Sequence, residues 1–399
     1  MRRYKINVFL LSSAQALYLI TSIASITFSG LVGQMLADNK LLATLPVAML
    51  TLGTASITVP ASFLMRRIGR RGGFMVGAFS GALSGGLAFF AIVQGNFWLF
   101  CAAAFLQGSF QAFSQYYRFA AVESAPAAYT SRAVSYVLLG GVAAAFLGPK
   151  IGVLSKDLAS PIPFAGTYLA VMAVSFLALL PLFFLKIPEI AVQAHEGQGR
   201  PMREIMRQPV FAAAVLNACT SYGVMVLVMT ATPLAMVACA FPVAEAGSVI
   251  QWHVLAMFLP SFFTGNLIRR FGVLPVLFVG MALFTASAAA AIAGIDLANF
   301  TVALILLGVA WNFMYVGGTT LLTEAYHPSE RTKVQALNEF LVFAVAAAGS
   351  FSSGGLLNWS GWNAVNYGAI PVLVLTAGVT LWYAWTSRRG REAAARIKT

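Results

Sequence analysis

The sequence predicts an all-α integral membrane protein of about twelve transmembrane helices in two six-helix halves. Of its 399 residues, 59% are hydrophobic and only 9% are charged. A soluble protein of this length would need charged residues to cover its surface, whereas lipid requires none. Apolar runs of about 20 residues, enough to cross a hydrocarbon core of roughly 30 Å, recur along the chain. A short arginine–glycine element also occurs twice, once in each half.

Short polar or glycine-containing breaks separate the apolar runs. The first run is too long for a cleavable secretory signal, and it leads directly into further spans. An even number of spans places both termini on the same side of the membrane. The spans are expected at residues 6–34, 41–65, 74–95, 97–122, 131–155, 162–185, 209–235, 243–268, 274–293, 297–323, 333–357 and 365–386.

The formal net charge of +13 comes from the loops between the spans. Basic residues cluster on one side: four lie at 66–71, two are Arg269 and Arg270, and five follow Trp385. By the positive-inside rule, that side and both termini are cytoplasmic. No basic surface interleaved with aromatic residues is present to stack bases, so a nucleic-acid partner is not expected and membrane lipid is. The opposite side keeps Lys40, Lys150 and Lys156.

The longest polar stretch, at residues 187–208, divides the chain near its middle. We therefore expect an N-terminal six-helix half at 1–186, a cytoplasmic linker at 187–208, and a C-terminal six-helix half with a basic cytoplasmic tail at 209–399. The sequence MRRIG that ends at Gly69 corresponds to IRRFG ending at Gly272, an offset of 203 residues. Two parallel repeats of six helices are the plan of many secondary transporters.

The element after span two resembles the loop signature of the major facilitator superfamily, G-x-L-x-D-R-x-G-R-R. The acidic position of that signature is occupied by Arg66, so the charge pairing usual for the loop loses its acidic member. The resemblance extends over the whole chain and implies that Gly69, Arg70, Arg71 and Gly272 belong to a conformational loop motif. The residues that match the first copy are Leu64, Arg67, Gly69, Arg70 and Arg71.

Two shorter elements are similar to parts of the motifs of drug exporters in that superfamily. Gly148-Pro149-x-x-Gly152 in span five resembles the end of the antiporter motif, but its earlier glycines are missing. Gln107-Gly108 in span four resembles a second exporter motif, but Ala104 stands where that motif has an arginine. These departures weaken the expectation of a proton-coupled drug exporter.

Neutral sulfur and imidazole side chains lie inside spans seven and eight. Met225 and Met229 are four residues apart, so their thioethers share one helix face about 6 Å apart along the axis. His253 and Met257 have the same spacing in span eight. Counted from the span ends, Met225 is level with Met257, and His253 is level with Met229. Neighbouring antiparallel spans would then form a cluster of three sulfurs and one imidazole in the outer half of the membrane.

The chemistry of this cluster favours a soft metal ion. Thioethers select copper(I) and imidazole also suits copper, whereas magnesium, calcium and manganese prefer oxygen. Zinc commonly takes thiolate or carboxylate ligands, which the cluster lacks. Methionine is also a flexible filler of apolar helices, and the chain has 14 of them. The residues by themselves leave metal binding and packing as open alternatives.

The pattern Met225-x-x-x-Met229 with His253-x-x-x-Met257 resembles the signature of the CcoA-type copper importers of bacteria, which are major facilitator proteins. The resemblance implies that these four residues bind copper. It implies a secondary transporter that imports copper across the bacterial cytoplasmic membrane by alternating access, for assembly of haem–copper cytochrome c oxidase. Copper is then the transported substrate, no cofactor is needed, a cytoplasmic copper acceptor is a partner, and the transporter is a monomer.

Four further residues have more than one interpretation. Met236 and Cys239, at the outer end of span seven, are either a metal relay or interfacial packing. Arg118, about a turn inside the cytoplasmic end of span four, and Glu339, about two turns inside the same end of span eleven, are either a gate pair or snorkelling side chains. Glu339 could instead carry a coupling proton.

No motif of a soluble enzyme occurs, so neither an enzyme nor an ATP-driven pump is expected. The alternative to copper import is a major facilitator transporter or exporter of a small organic solute or drug. In that case the methionine pairs are packing, and Arg118 or Gln111 contacts the substrate. A sensor or assembly factor is disfavoured, because nothing outside the spans resembles a signalling or docking domain.

Overall fold

The computed structural model describes residues 2–126, 130–187 and 199–397. Residues 188–198 of the predicted linker lie outside that description, as do the side chains of the basic tail. Within the described residues the chain is helical and contains no β-strand. The predicted domain boundaries at 186 and 209 stay a prediction.

The helices confirm the expectation of about twelve spans. Seven helical stretches of the described chain are long and apolar enough to cross a membrane, and a bent pair makes an eighth. Two of the seven contain two spans each, because Leu45–Val93 turns at Gly69 and Arg331–Ile397 turns at Gly361. Phe97–Ser114 and Thr130–Ser155 complete the set.

In chain order, the spans are Arg2–Leu36, 45–68, 70–93, 97–124, Thr130–Ser155, Ala165–Phe184, Pro209–Ala238, 243–271, Val273–Ile292, Leu297–Leu322, 331–360 and 362–397. Span four consists of Phe97–Ser114 followed by Tyr117–Ser124, and span eight of Val243–Phe258 followed by Ser261–Phe271. Short helices at Lys40–Leu42, Met202–Met206 and Pro328–Glu330 lie between spans. Apart from the last span, which continues into the tail, every end lies within four residues of its predicted position.

Several breaks between helices are shorter than the sequence predicts. Gly69 and Gly361 each turn the chain alone, with φ of +79° and +76°, and Gly272 does the same with φ +88°. This conformation is readily available to glycine because it has no Cβ. Span eight bends by 41° at Pro260, which has no backbone N–H to continue the helix. The bend in span eight and the break in span four after Ser114 were not predicted.

Glycines bring helices of the first half into backbone contact. A Cβ on Gly108 of span four would lie 2.3 Å from the carbonyl oxygen of Leu50 in span two. Gly148 and Gly152, the residues of the partial antiporter motif, pack span five against Ile23 and Phe28 of span one. Within this structure the exporter-like glycines therefore serve helix packing inside the first half.

The two halves are hydrogen-bonded at the end of the bundle opposite the termini. The backbone N–H of Gly354 in span eleven donates to Oγ1 of Thr44 at 3.0 Å. The side-chain amide of Asn358 donates to the carbonyl oxygen of Lys40 at 3.1 Å. Close packing of Gly30 in span one on span seven continues this contact. In the orientation that the basic loops predict, this closed end is the outer one.

An arginine–glutamate pair stabilises each half at the end of the bundle that carries the termini. Arg70 donates to Glu123, at the end of span four, with distances of 2.6 and 3.2 Å. Val273 replaces Arg70 in the second copy of the loop element. There Glu330, after span ten, accepts from Arg200 of the linker at 2.8 and 3.0 Å. Each half therefore has an arginine–glutamate pair at this end, although Arg66 and Arg269 occupy the acidic position in the two copies of the loop element.

Candidate functional site

The four residues of the predicted copper cluster are all buried in the second half. Met225, Met229 and Met257 belong to one continuous core cluster, and His253 has no exposed surface. The described residues contain no group of three or more histidine, cysteine or acidic side chains that could hold a metal ion. The convergence of the three thioethers and the imidazole on one copper ion stays a prediction.

The imidazole of His253 is oriented by span ten. Its Nδ1 lies 2.8 Å from the carbonyl oxygen of Leu304. A carbonyl oxygen can only accept, so Nδ1 donates, and the lone pair of a neutral imidazole is then on Nε2. This Nε2 is buried and has no hydrogen-bond partner. Histidines that bind metals usually make such a second bond through their other nitrogen.

The two residues of the predicted relay differ in their surroundings. Met236 has no exposed surface and packs in the same core cluster as Met225. Cys239 follows the last helical residue of span seven, is half-buried and is a free thiol. A relay through these two side chains stays a prediction.

A second group of polar side chains lies where span four meets spans seven, ten and eleven. Arg118 lies near Tyr315 of span ten, Glu339 of span eleven and Tyr222 of span seven. Glu339 also lies near Tyr315 and follows Asn338 in the chain. Among the described ion pairs, none joins Arg118 directly to Glu339. Tyr315, which was not among the predicted site residues, lies near both predicted gate residues.

Tyr315 also belongs to an aromatic cluster that four spans of the second half contribute. Its ring is stacked on that of Trp311, with 5.1 Å between centroids and an angle of 14° between planes. Tyr222 meets Tyr315 edge-on at 5.2 Å and Phe343 at 5.5 Å. We call the following five residues the aromatic cluster: Tyr222, Phe258, Trp311, Tyr315 and Phe343.

The aromatic cluster faces the first half of the protein. Arg118 of span four reaches Tyr315, as described above. A Cβ on Gly141 of span five would lie 3.0 Å from the ring of Phe258. Tyr18 of span one lies near Tyr222. The cluster therefore lies between the halves, at the place where a transporter of two repeats binds its substrate.

Several of the buried polar atoms without a hydrogen-bond partner lie around the aromatic cluster. A buried polar atom without a partner costs about 1–3 kcal/mol, and native proteins contain few of them. A group of them at one place is typical of a site that binds a polar ligand or water. In this region the atoms are Arg118 Nε, Trp311 Nε1, Asn338 Oδ1 and Glu339 Oε2.

One sequence signal could have revealed the aromatic cluster. Trp311 and Tyr315 are four residues apart in span ten, so their rings share a helix face at membrane depth. The remaining members lie on three other spans, and their convergence depends on packing that the local sequence does not specify.

Comparison with known proteins agrees with this architecture. The family model of the Major Facilitator Superfamily matches residues 10–250 and 216–399. A riboflavin transporter of Brucella anthropi is 41% identical over 371 residues, which cover 92% of this chain and 93% of the relative. An uncharacterized transporter of the same superfamily from Bacillus subtilis is 29% identical over 384 residues, covering 90% and 86%.

Solved structures show the same fold. The fucose:proton symporter of E. coli matches with a TM-score of 0.64 at 17% identity, over 96% of this chain and 99% of the symporter. These relatives are transporters and not enzymes, and the superfamily generally needs no cofactor. The relatives do not support copper import or a role in oxidase assembly, and the riboflavin transporter favours the alternative of a small organic solute. The chain is a multi-pass membrane transporter that belongs to the major facilitator superfamily.

Proposed function

We propose that this chain moves a small organic solute of the riboflavin class across the bacterial inner membrane by alternating access. The observation that carries the proposal is the group of unpaired polar atoms beside the aromatic cluster, between the two halves. The 41% identical riboflavin transporter supports the same class of substrate. Arg118 and Gln111 are the proposed substrate contacts, and both termini are proposed to be cytoplasmic.

The test is riboflavin flux into proteoliposomes that contain the purified protein. Replacing Arg118 by alanine removes a charged hydrogen-bond donor, and such bonds contribute about 1.5–3 kcal/mol. We expect Arg118→Ala to lower the flux about tenfold or more. Arg203→Ala is the matched control, because Arg203 is exposed on the short helix before span seven. Absence of riboflavin flux with the unaltered protein would reject the riboflavin class.

Copper import is a second candidate, and one specific observation favours it. The buried lone pair of His253 Nε2 has no partner, while its Nδ1 is already fixed by the carbonyl of Leu304. An imidazole held in this way could bind copper together with the thioethers of Met225, Met229 and Met257. A cytoplasmic protein would then accept the metal.

Copper flux can be measured in the same proteoliposomes. Met229→Leu conserves side-chain volume but removes a sulfur. We expect Met229→Leu and His253→Ala to abolish copper flux, while Met314→Leu, a buried methionine of span ten outside the predicted cluster, preserves it. Equal copper flux in Met229→Leu and Met314→Leu would remove the copper candidate and leave riboflavin transport untouched.

A further inference from the structure

The aromatic cluster has a geometry that suits a flat ligand. Its members come from spans seven, eight, ten and eleven, so the cluster is fixed by several rigid elements. Trp311 and Tyr315 present nearly parallel rings, whereas Tyr222 stands edge-on to both at 5.4 and 5.2 Å. A planar ring can stack on one aromatic face while its edge meets another.

Part of the cluster is not covered by protein. Trp311 and Phe343 are buried, but Tyr222, Phe258 and Tyr315 keep intermediate exposure although they lie deep within their spans. Their neighbours from the first half are Tyr18, Arg118 and Gly141, so the uncovered area lies between the halves and not toward lipid.

The polar atoms beside the rings have complementary roles. Trp311 Nε1 and Arg118 Nε can only donate a hydrogen bond, whereas an ionised Glu339 Oε2 can only accept one. All three atoms are buried and unpaired. A ligand that satisfies them has both carbonyl oxygens and an N–H group along one edge. A ribityl-type polyol chain has hydroxyl groups but no flat surface to stack.

We propose that the aromatic cluster binds the fused heteroaromatic ring of the solute, with the ring stacked on the face of Tyr315 and one of its edges against Tyr222. The imide-like edge of the ring lies toward Arg118, Trp311 and Glu339. Ring recognition, and not recognition of the polyol chain, then determines which solutes are transported. This inference rests on the proposed transport of a solute of the riboflavin class and assigns its binding residues.

The test uses three probes on the purified protein: riboflavin, lumichrome as the ring without the polyol chain, and ribitol as the chain without the ring. Binding is measured by calorimetry, and transport by riboflavin flux in proteoliposomes. We expect lumichrome to bind within about tenfold of riboflavin, and ribitol not to bind. Each of Tyr222→Leu and Tyr315→Leu should weaken lumichrome binding at least about tenfold. Tyr367→Leu, at an exposed tyrosine of span twelve, should leave it unchanged.

A conservative variant separates stacking from hydrogen bonding. Tyr315→Phe keeps the ring but removes a hydroxyl that lies near both Arg118 and Glu339. We expect Tyr315→Phe to retain lumichrome binding within about threefold and to lower riboflavin flux. Thermal unfolding of each variant identifies any loss that comes from misfolding.

The outcomes distinguish this inference from the proposed function. Riboflavin flux combined with unchanged lumichrome binding in Tyr222→Leu and Tyr315→Leu would overturn the ring site and leave the transport function intact. If lumichrome binding depends on these tyrosines but the protein shows no riboflavin flux, the ring site is supported and the riboflavin class is rejected as the transported solute. Failure of the unaltered protein to bind lumichrome would overturn the ring site outright.

Discussion

Gly108 illustrates how one missing side chain determines a helix contact. Spans two and four approach until the carbonyl oxygen of Leu50 lies 2.3 Å from the position that a Cβ on Gly108 would occupy. Gly53 makes the reciprocal contact with the carbonyl of Phe105 at 2.2 Å. In a membrane, such small residues allow helices to associate through their backbones. Gly108 is therefore explained by packing, without an exporter function.

We predict that Gly108→Ala destabilises the protein, because the added methyl group overlaps backbone that cannot rotate away. Inserting a methyl group into a tightly packed contact costs about 1–3 kcal/mol. The melting temperature in detergent should fall by several degrees. Gly355→Ala is the matched control, since a Cβ on Gly355 meets nothing within 4 Å. Equal melting temperatures for the two variants would contradict the proposed contact.

Single residues also show where prediction from sequence ends. The spacing of His253 and Met257 places both on one helix face, and this follows from helix geometry alone. The bond from His253 to the carbonyl of Leu304 joins residues 51 positions apart, so local spacing could not reveal it. Tyr315 was missed for the same reason, because its importance comes from Arg118 and Glu339 on two other spans.

At the scale of elements, the spans were predictable and several of their breaks were not. Membrane helices are specified by the apolar composition of long windows, which the sequence shows directly. A break depends on one residue: Gly69 and Gly361 turn the chain through positive φ, and Pro260 bends span eight. Most of the glycines that the structure describes lie within helices without a positive φ, so composition does not identify the ones that turn.

The turn between spans two and three gives a prediction of its own. A Cβ on Gly69 would meet nothing within 4 Å, so only its φ of +79° resists substitution. With φ +79° and ψ 162°, Gly69 lies in a region that is essentially restricted to glycine, and a residue with a Cβ there costs about 1–3 kcal/mol. We expect Gly69→Ala and Gly69→Asn both to lower the melting temperature. Gly265→Ala, at an uncrowded helical glycine, should change it little.

The linker element should make stability depend on pH. Hydrogen bonds from Arg200 hold the pKa of Glu330 well below its ordinary value of 4.5. The folded state therefore binds fewer protons than the unfolded state in acid, and the contribution of the pair is complete above about pH 4.5 and is lost as the pH falls below it. We expect the melting temperature to fall more steeply with acidification in the unaltered protein than in Glu330→Gln.

The control for this pH dependence is Asp38→Asn, at an exposed carboxylate between spans one and two. Its acid dependence should match that of the unaltered protein. If Glu330→Gln loses stability on acidification as steeply as the unaltered protein, the Arg200–Glu330 pair does not cause the effect.

At the scale of the whole molecule, the contact between the halves shows which end is closed. Thr44 of span two accepts from Gly354 of span eleven, and Lys40 accepts from Asn358 nearby. Alternating access requires these bonds to break when the opposite conformation forms. A covalent link at this position should therefore stop transport.

We predict that Thr44→Cys with Gly354→Cys forms a disulfide on oxidation. A Cβ on Gly354 would lie 3.2 Å from Cγ2 of Thr44, within reach of disulfide geometry after a small adjustment. The native Cys101, Cys219 and Cys239 are first replaced by serine. Oxidation should abolish substrate flux, and reduction should restore it. Each single cysteine variant serves as a control, and undiminished flux in the oxidised double variant would contradict closure at this end.

The contact of the linker with the second half has a consequence for how the gene could be divided. Arg200 precedes span seven, yet its side chain completes the pair with the buried Glu330. Suppose that the protein were made as two polypeptides. If the second polypeptide began before residue 199, it would contain both Arg200 and Glu330. A reading frame that begins at Pro209 would leave a buried carboxylate without its cation, which is strongly destabilising. Natural or engineered fission of this transporter should therefore be tolerated only upstream of residue 199.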